Sequence, residues 1–275
     1  MDQQGICFDF IPLPDNHEDC ARLAGQLERA LTGILPPVRF ETLRNTLSRW
    51  EVLTPGERLD FRRAMGWRRA MFLDDGWLYE RIALPPDLVR APSRAAFAQW
   101  TCTQVATIRA RLAQDNLLSE EADDASIAYA DRLLTLDLSR KEKPGVWVHH
   151  GAVTWLSGDS GIDDNVVVVA LRLHPMVHLA RTFVQTRDER YLRGAVELLS
   201  DLTWEIPGNV INRCGGTGCR THWGVDALDV ASRTENIAAI AGTAFQSLSE
   251  RPDACLLVWK ILNLCGERNM EFWHK

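Results

Sequence analysis

The chain has 275 residues, enough for one large domain or two small ones with a substantial core, and its 46% apolar and 25% charged residues are those of an ordinary globular protein. A formal charge of −6 argues against a nucleic-acid binder, whose footprint is a concentrated basic face. No segment approaches the ~20 apolar residues of a membrane helix, and the aliphatic run Val166 to Leu171 stops far short of that.

The N-terminal stretch "MDQQGICFDFIPLPDNHEDC" lacks a basic region followed by an apolar one, so no signal peptide is expected. That leaves the cytoplasm as the default compartment, with the periplasm as the alternative. The cysteines, at 7, 20, 102, 214, 219, 255 and 265, are odd in number and mostly sit in apolar, helix-like contexts. They read as reduced, buried thiols rather than a disulfide framework.

Helical periodicity dominates the chain. "HEDCARLAGQLERALTGIL" puts Cys20, Leu23, Leu27 and Leu31 on one stripe, and "VRFETLRNTLSRWEVL" does the same with Phe40, Leu43, Leu47 and Trp50. Thr54, Pro55 and Glu57 spell a capping box at the start of a third helix. Within that helix, "RRAMGWRR" (Arg62 to Arg69) is the one dense basic stretch and reads as a solvated face. Ser93 is expected to cap "RAAFAQWTCTQVATIRARLAQ", and Ser119 to cap "EEADDASIAYADRLLTL". Short strands are expected at most at "ICFDFI", "WLYERIAL" and "VWVHHGAV".

An irregular stretch, Ser139 to Asn165, is rich in Gly, Trp, His and Asp; loops on a rigid scaffold often carry function. Helices follow near 166–185, 189–204, 225–248 and 253–272, with a second Gly-rich loop, "IPGNVINRCGGTGCRTHWG", between the second and third. The fold class is therefore mainly all-α, in antiparallel helical hairpins. Residues 1–138 form an N-terminal helical segment and 139–275 a set of hairpins, unless 1–275 is one continuous domain.

Three chemistries offer themselves. Cys214, Cys219 and His222 supply three zinc-type ligands where a structural site needs four, so a zinc hydrolase would need one more, and the preferred expectation is no metal and no cofactor. "GGTG" lacks the preceding strand and the Lys-Ser/Thr pair of a phosphate-binding loop. His174 and His178 lie one helical turn apart but without the H-E-x-x-H pattern, so capping or a polar cleft is expected for them. Arg233, in a mostly apolar helix with Asn236 on the same face, needs a partner: either an internal salt bridge or an anionic ligand gripped by its fork.

"DDNVVVVALRLHPMVHLARTFVQTRDERYLRGAVELLSDLTWEIPGN", "HWGVDALDVASRTENIAAI" and "HHGAVTWLSGDSGIDDN" together resemble the N-terminal helical domain of the heparinase II/III-like polysaccharide lyases, over roughly residues 140–275. The resemblance implies an incomplete α/α toroid around a central cleft and an acidic polysaccharide or oligosaccharide as ligand. The family's chemistry is β-elimination, but its catalytic groups come from segments that have no counterpart here, so catalytic residues stay unassigned. The binding half would comprise Trp155 and Trp223 stacking sugar rings, Arg233 meeting a carboxylate or sulfate, and His150, His174 and Asn236 bonding hydroxyls. The competing expectation is a non-enzymatic helical interaction protein that takes a protein partner in a Trp-rich cleft. Neither a nucleic acid nor a membrane is expected as partner.

Overall fold

A computed structural model describes residues 12–82, 84–85, 88, 93–113, 124–135, 148–149, 152–153, 173–205 and 227–273. The protein is mainly helical, as its periodicity predicts. Helix α1 (His17–Leu31) starts at Asn16, whose side chain accepts from the Asp19 amide, and buries the predicted stripe Cys20, Leu23, Leu27 and Leu31. A tight turn through Gly33, at φ 84°, leads to α2 (Pro37–Ser48); the missing Cβ makes that left-handed conformation accessible. Phe40 and Leu43 of α2 and the following Trp50 are buried, and Leu47 packs partly buried against them.

Helix α3 (Pro55–Phe72) carries the predicted capping box: Thr54 Oγ1 accepts from the Glu57 amide at 3.2 Å, and Glu57 accepts from the Thr54 amide at 2.7 Å. Its basic stretch is not a solvated face. Arg62 and Arg69 donate to the carbonyls of Pro14 and Pro12, both at 2.5 Å, and strap the N-terminal segment onto α3. Trp67 is buried with its indole N–H on the Thr203 carbonyl at 2.9 Å, and the Arg68 guanidinium lies 4.2 Å from the centre of the Trp204 ring. The acceptors of these arginines lie far away in sequence, which is why the stretch by itself looks solvated.

A second correction concerns "WLYERIAL", where β-prone residues suggest a strand. Residues Gly76–Arg81 instead form a short helix, α4. Asp74 accepts from the Gly76 amide at 3.0 Å and turns the chain, and the buried Trp77 donates to the Ala70 carbonyl at 3.0 Å. Tertiary packing of the indole overrides local propensity.

Helix α5 (Arg94–Ala113) is capped as predicted, with the Ala96 amide on Ser93 Oγ at 3.1 Å. Helix α6 (Asp124–Leu134) follows, and its expected cap Ser119 lies outside the described residues. "VWVHHGAV" contributes a minimal antiparallel pairing of β1 (Val148–His149) with β2 (Ala152–Val153). "ICFDFI" lies outside the described residues.

The hairpin at 174–205 forms as its sequence suggests. Helix α7 (His174–Thr186) and helix α8 (Glu189–Glu205) are joined by Arg187 and Asp188 alone and pack on each other. Arg187, at φ 58°, donates to the Phe183 carbonyl at 2.7 Å, and Asp188 accepts from the Arg190 amide at 3.0 Å. Helices α9 (Ala227–Ser249) and α10 (Pro252–Trp273) form a second pair across Glu250 and Arg251. Helix α9 also packs on α5 and α7, while α3 touches α8 and α10. One hydrophobic cluster runs from Cys20 to Cys265 and draws on both stretches of the chain.

At one edge of this core the C-terminal end of α8 meets two arginines from other helices. Arg39 of α2 grips Asp201 with two hydrogen bonds, at 2.8 and 2.9 Å, and pairs with Glu205 at 2.8 Å. Arg68 donates to the Trp204 carbonyl at 3.3 Å. Burial pushes Arg68 down to about 10, against the pull of Glu205, so it stays charged at neutral pH. Cations here complement the negative end of the helix dipole.

Cys20, Cys102, Cys255 and Cys265 are free thiols, and all but Cys102 are buried. Burial pushes the Cys20, Cys255 and Cys265 thiols up to about 11. Because the thiolate is the nucleophile, alkylation of native protein at neutral pH should mark Cys102 well before these three. Peptide mapping after a timed iodoacetamide pulse measures the order, and early labelling of Cys265 would contradict the packing of α10.

Candidate functional site

The second set of buried charges lies where α3 ends. A helix leaves its last carbonyls without intrahelical partners, and two cations supplied from elsewhere cover them. Lys260, fully buried in α10, donates to the carbonyls of Ala70 at 2.8 Å, Met71 at 3.1 Å and Asp74 at 2.7 Å, and to Asp75 Oδ1 at 2.7 Å. Arg94, the first residue of α5, donates to the carbonyls of Phe72 at 3.0 Å and Leu73 at 3.3 Å. Its Nε also reaches Asp75 at 2.6 Å, and its Nη1 meets Asp253 at the start of α10. Arg94 thus ties the end of α3, Asp75 and the start of α10 together, while Asp75 joins Arg94 to Lys260. Burial pushes the Lys260 ammonium down to about 8, against the attraction of Asp75.

This cluster forms the floor of a cavity of about 570 Å³, inside the range of roughly 300–1,000 Å³ usual for small-molecule sites. One wall is α8, presenting Arg193, Glu197 and Ser200; the others are the Gly33–Ile34 turn and the start of α10 with Arg251. Arg193 is exposed and, with Glu197, makes no hydrogen bond or close ion pair among the described residues. Burial raises the Glu197 carboxyl above its ordinary range, although Arg193 and Arg251 pull the other way. The Arg251 guanidinium is paired with Glu189 at 2.7 Å, a contact that is half-exposed on both sides and therefore weak. The cavity thus has two arginines on its lining, the half-buried carboxyl of Glu197, the buried Ser200 and the exposed carboxylates of Glu250 and Asp253.

The residues singled out by sequence are distributed differently. His150, Trp155 and Trp223 lie outside the described residues, as do Cys214, Cys219 and His222. His174 opens α7, and Asn236 is half-buried on α9. Arg233 has 1% of its surface exposed and lies close enough to Cys265 of α10 to act on its thiol. Those three residues, His174, Arg233 and Asn236, border neither this cavity nor the one that adjoins it. The tryptophans Trp50, Trp67, Trp77 and Trp204 are core residues, and no described tryptophan lines either cavity. Among the described residues, no group of three His, Cys, Asp or Glu side chains could hold a metal ion, and no helix is long and apolar enough to cross a membrane. The large apolar side chains exposed there are Val52 and Leu59, which form no broad apolar face.

Sequence reasoning missed this cavity, although it contained a usable signal: Lys260 stands alone in "ACLLVWKILNLC", and a lone cation inside an apolar helix demands a buried acceptor. Compared with known proteins, the chain matches no described family, no curated protein and no solved structure.

Proposed function

We propose that this protein binds an acidic saccharide, and that the cavity between α8, the α1–α2 turn and the start of α10 receives its anionic group. The supporting observation is that Arg193 and Arg251 line one cavity together with Glu197 and Ser200, beside Glu250 and Asp253. Guanidinium forks match carboxylate and sulfate geometry, while a carboxyl and a hydroxyl suit sugar hydroxyls. The sequence resemblance of residues 140–275 to polysaccharide lyases points to the same ligand class, and the helical hairpins would then be part of an incomplete α/α toroid. The competing reading, a protein-binding surface, draws little support from the described residues, whose exposed large apolar side chains are Val52 and Leu59.

Isothermal titration of an acidic oligosaccharide and a neutral glucan of equal length is the test. The acidic ligand should bind more tightly, and Arg193→Ala should weaken it by roughly 1.5–3 kcal/mol, the range for hydrogen bonds to charged groups. Because Arg193 is exposed, its loss should leave the melting temperature almost unchanged. Equal affinity for both ligands, or no effect of Arg193→Ala, would reject the reading.

A further inference from the structure

A second cavity, of about 430 Å³, lies on the other side of the α1–α2 turn. Gly33, Ile34 and Glu197 border both cavities, so the two adjoin at the Ile34–Glu197 position. The second is walled by Leu133 and Leu134 of α6, by Pro36 and by Leu198, and its exposed cation is Arg190. Arg190 pairs with Asp188, two residues away, at the surface, an attachment that solvent makes cheap to exchange. Gly194, between the two cavities' arginines on α8, is buried and lets the Leu134 side chain of α6 pack closely against it; a Cβ would meet Leu134 Cδ2 at 2.5 Å.

Arg190 and Arg193 are three residues apart on one helix, which sets them about 4.5 Å apart along its axis. Each serves a different cavity. The buried anions nearby are already neutralised: Asp201 by Arg39, and Asp75 by Lys260 and Arg94. Each cavity has an exposed guanidinium of α8 on its lining, Arg193 in the first, beside the carboxylates of Glu250 and Asp253, and Arg190 in the second. We propose that the two cavities are compartments of one groove, and that its ligand is an acidic oligosaccharide whose successive anionic units meet Arg193 and Arg190. This inference rests on the saccharide-binding reading and adds to it a requirement for chain length, with Glu197 at the junction facing the linkage between units.

The test is a length series of 1,4-linked galacturonate, as monomer, dimer and tetramer, titrated into the full chain. The tetramer should bind at least about tenfold more tightly than the monomer, more than the statistical gain from its extra registers. Arg190→Ala should remove that gain and leave the tetramer binding no more tightly than the monomer, whereas Arg193→Ala should weaken monomer and tetramer alike. A melting curve of Arg190→Ala matching the parent's excludes a folding defect. If monomer and tetramer bind equally, or Arg190→Ala leaves the tetramer unaffected, the two-compartment groove is wrong and single-site binding stands. If no member of the series binds, the saccharide reading itself falls and the groove inference with it.

Discussion

Replacing Lys260 with methionine is expected to destabilise the protein by about 3–5 kcal/mol, the range for removing one partner of a buried charge pair. Methionine keeps an unbranched chain and drops only the terminal ammonium, so the loss comes mainly from what the ammonium does. Without the ammonium, the carbonyls of Ala70, Met71 and Asp74 lose their donor, and Asp75 keeps only Arg94 among its described cations. Chemical denaturation at pH 7 measures the effect. The pH dependence provides a second readout. The Lys260 pKa lies near 8 in the fold and near 10.5 when unfolded. Between those values the unfolded chain binds more protons, so this group's contribution to stability is fully present above about 10.5 and lost as pH falls through about 8. At ~1.4 kcal/mol per unit, the gap between parent and Lys260→Met should widen by about 3 kcal/mol across that window. The buried thiols act in the opposite sense, since their raised pKa values cost stability as pH rises from 9 to about 11. They are common to both proteins and cancel in the difference. A gap that stays constant from pH 7 to 10.5 would mean that hydrogen bonding at the end of α3, not burial, governs Lys260.

The contrast between what is legible in the sequence and what is not follows the range of the interactions. Helix stripes and caps depend on residues three or four apart, so the Cys20–Leu31 stripe, the Thr54–Glu57 box and the Ser93 cap can be read directly. The hairpin turn at Arg187 and Asp188 is equally local. The charges that close the fold act over far longer separations: 162 residues divide Arg39 from Asp201 and 185 divide Lys260 from Asp75. No periodicity encodes such pairs; only the anomaly of a charge in an apolar run hints at them. That hint singles out Arg233, and it applies equally to Lys260 and Asp201, which sit in "VWKIL" and "LLSDLTW". The cavity is harder still to anticipate, because its walls come from a turn near residue 33, one face of α8 and the beginning of α10. Each wall taken alone is an ordinary amphipathic surface or a loop.

Arg39 joins that long-range framework to the groove, and Arg39→Met is the other substitution expected to cost about 3–5 kcal/mol. Its guanidinium is 11% exposed and the Asp201 carboxylate 5%, so methionine would leave a buried carboxylate without its bidentate partner. Pairing Arg39→Met with Asp201→Leu should recover most of the loss, because an apolar pair of similar volume satisfies itself where a lone carboxylate does not. A double-mutant cycle in urea gives the coupling directly; additive effects would show that the two groups do not depend on each other. The site should respond as well. Arg39 fastens α2 to the end of α8, and the turn before α2 is the wall shared by both cavities. Arg39→Met should therefore weaken acidic-oligosaccharide binding more than monomer binding, even at a temperature where the variant stays folded, because the longer ligand depends on both sides of the turn. The double variant should restore stability first. Binding would return only if the apolar pair brings α2 back to the same position against Trp204, whose ring packs edge-on against Phe40 at 5.7 Å.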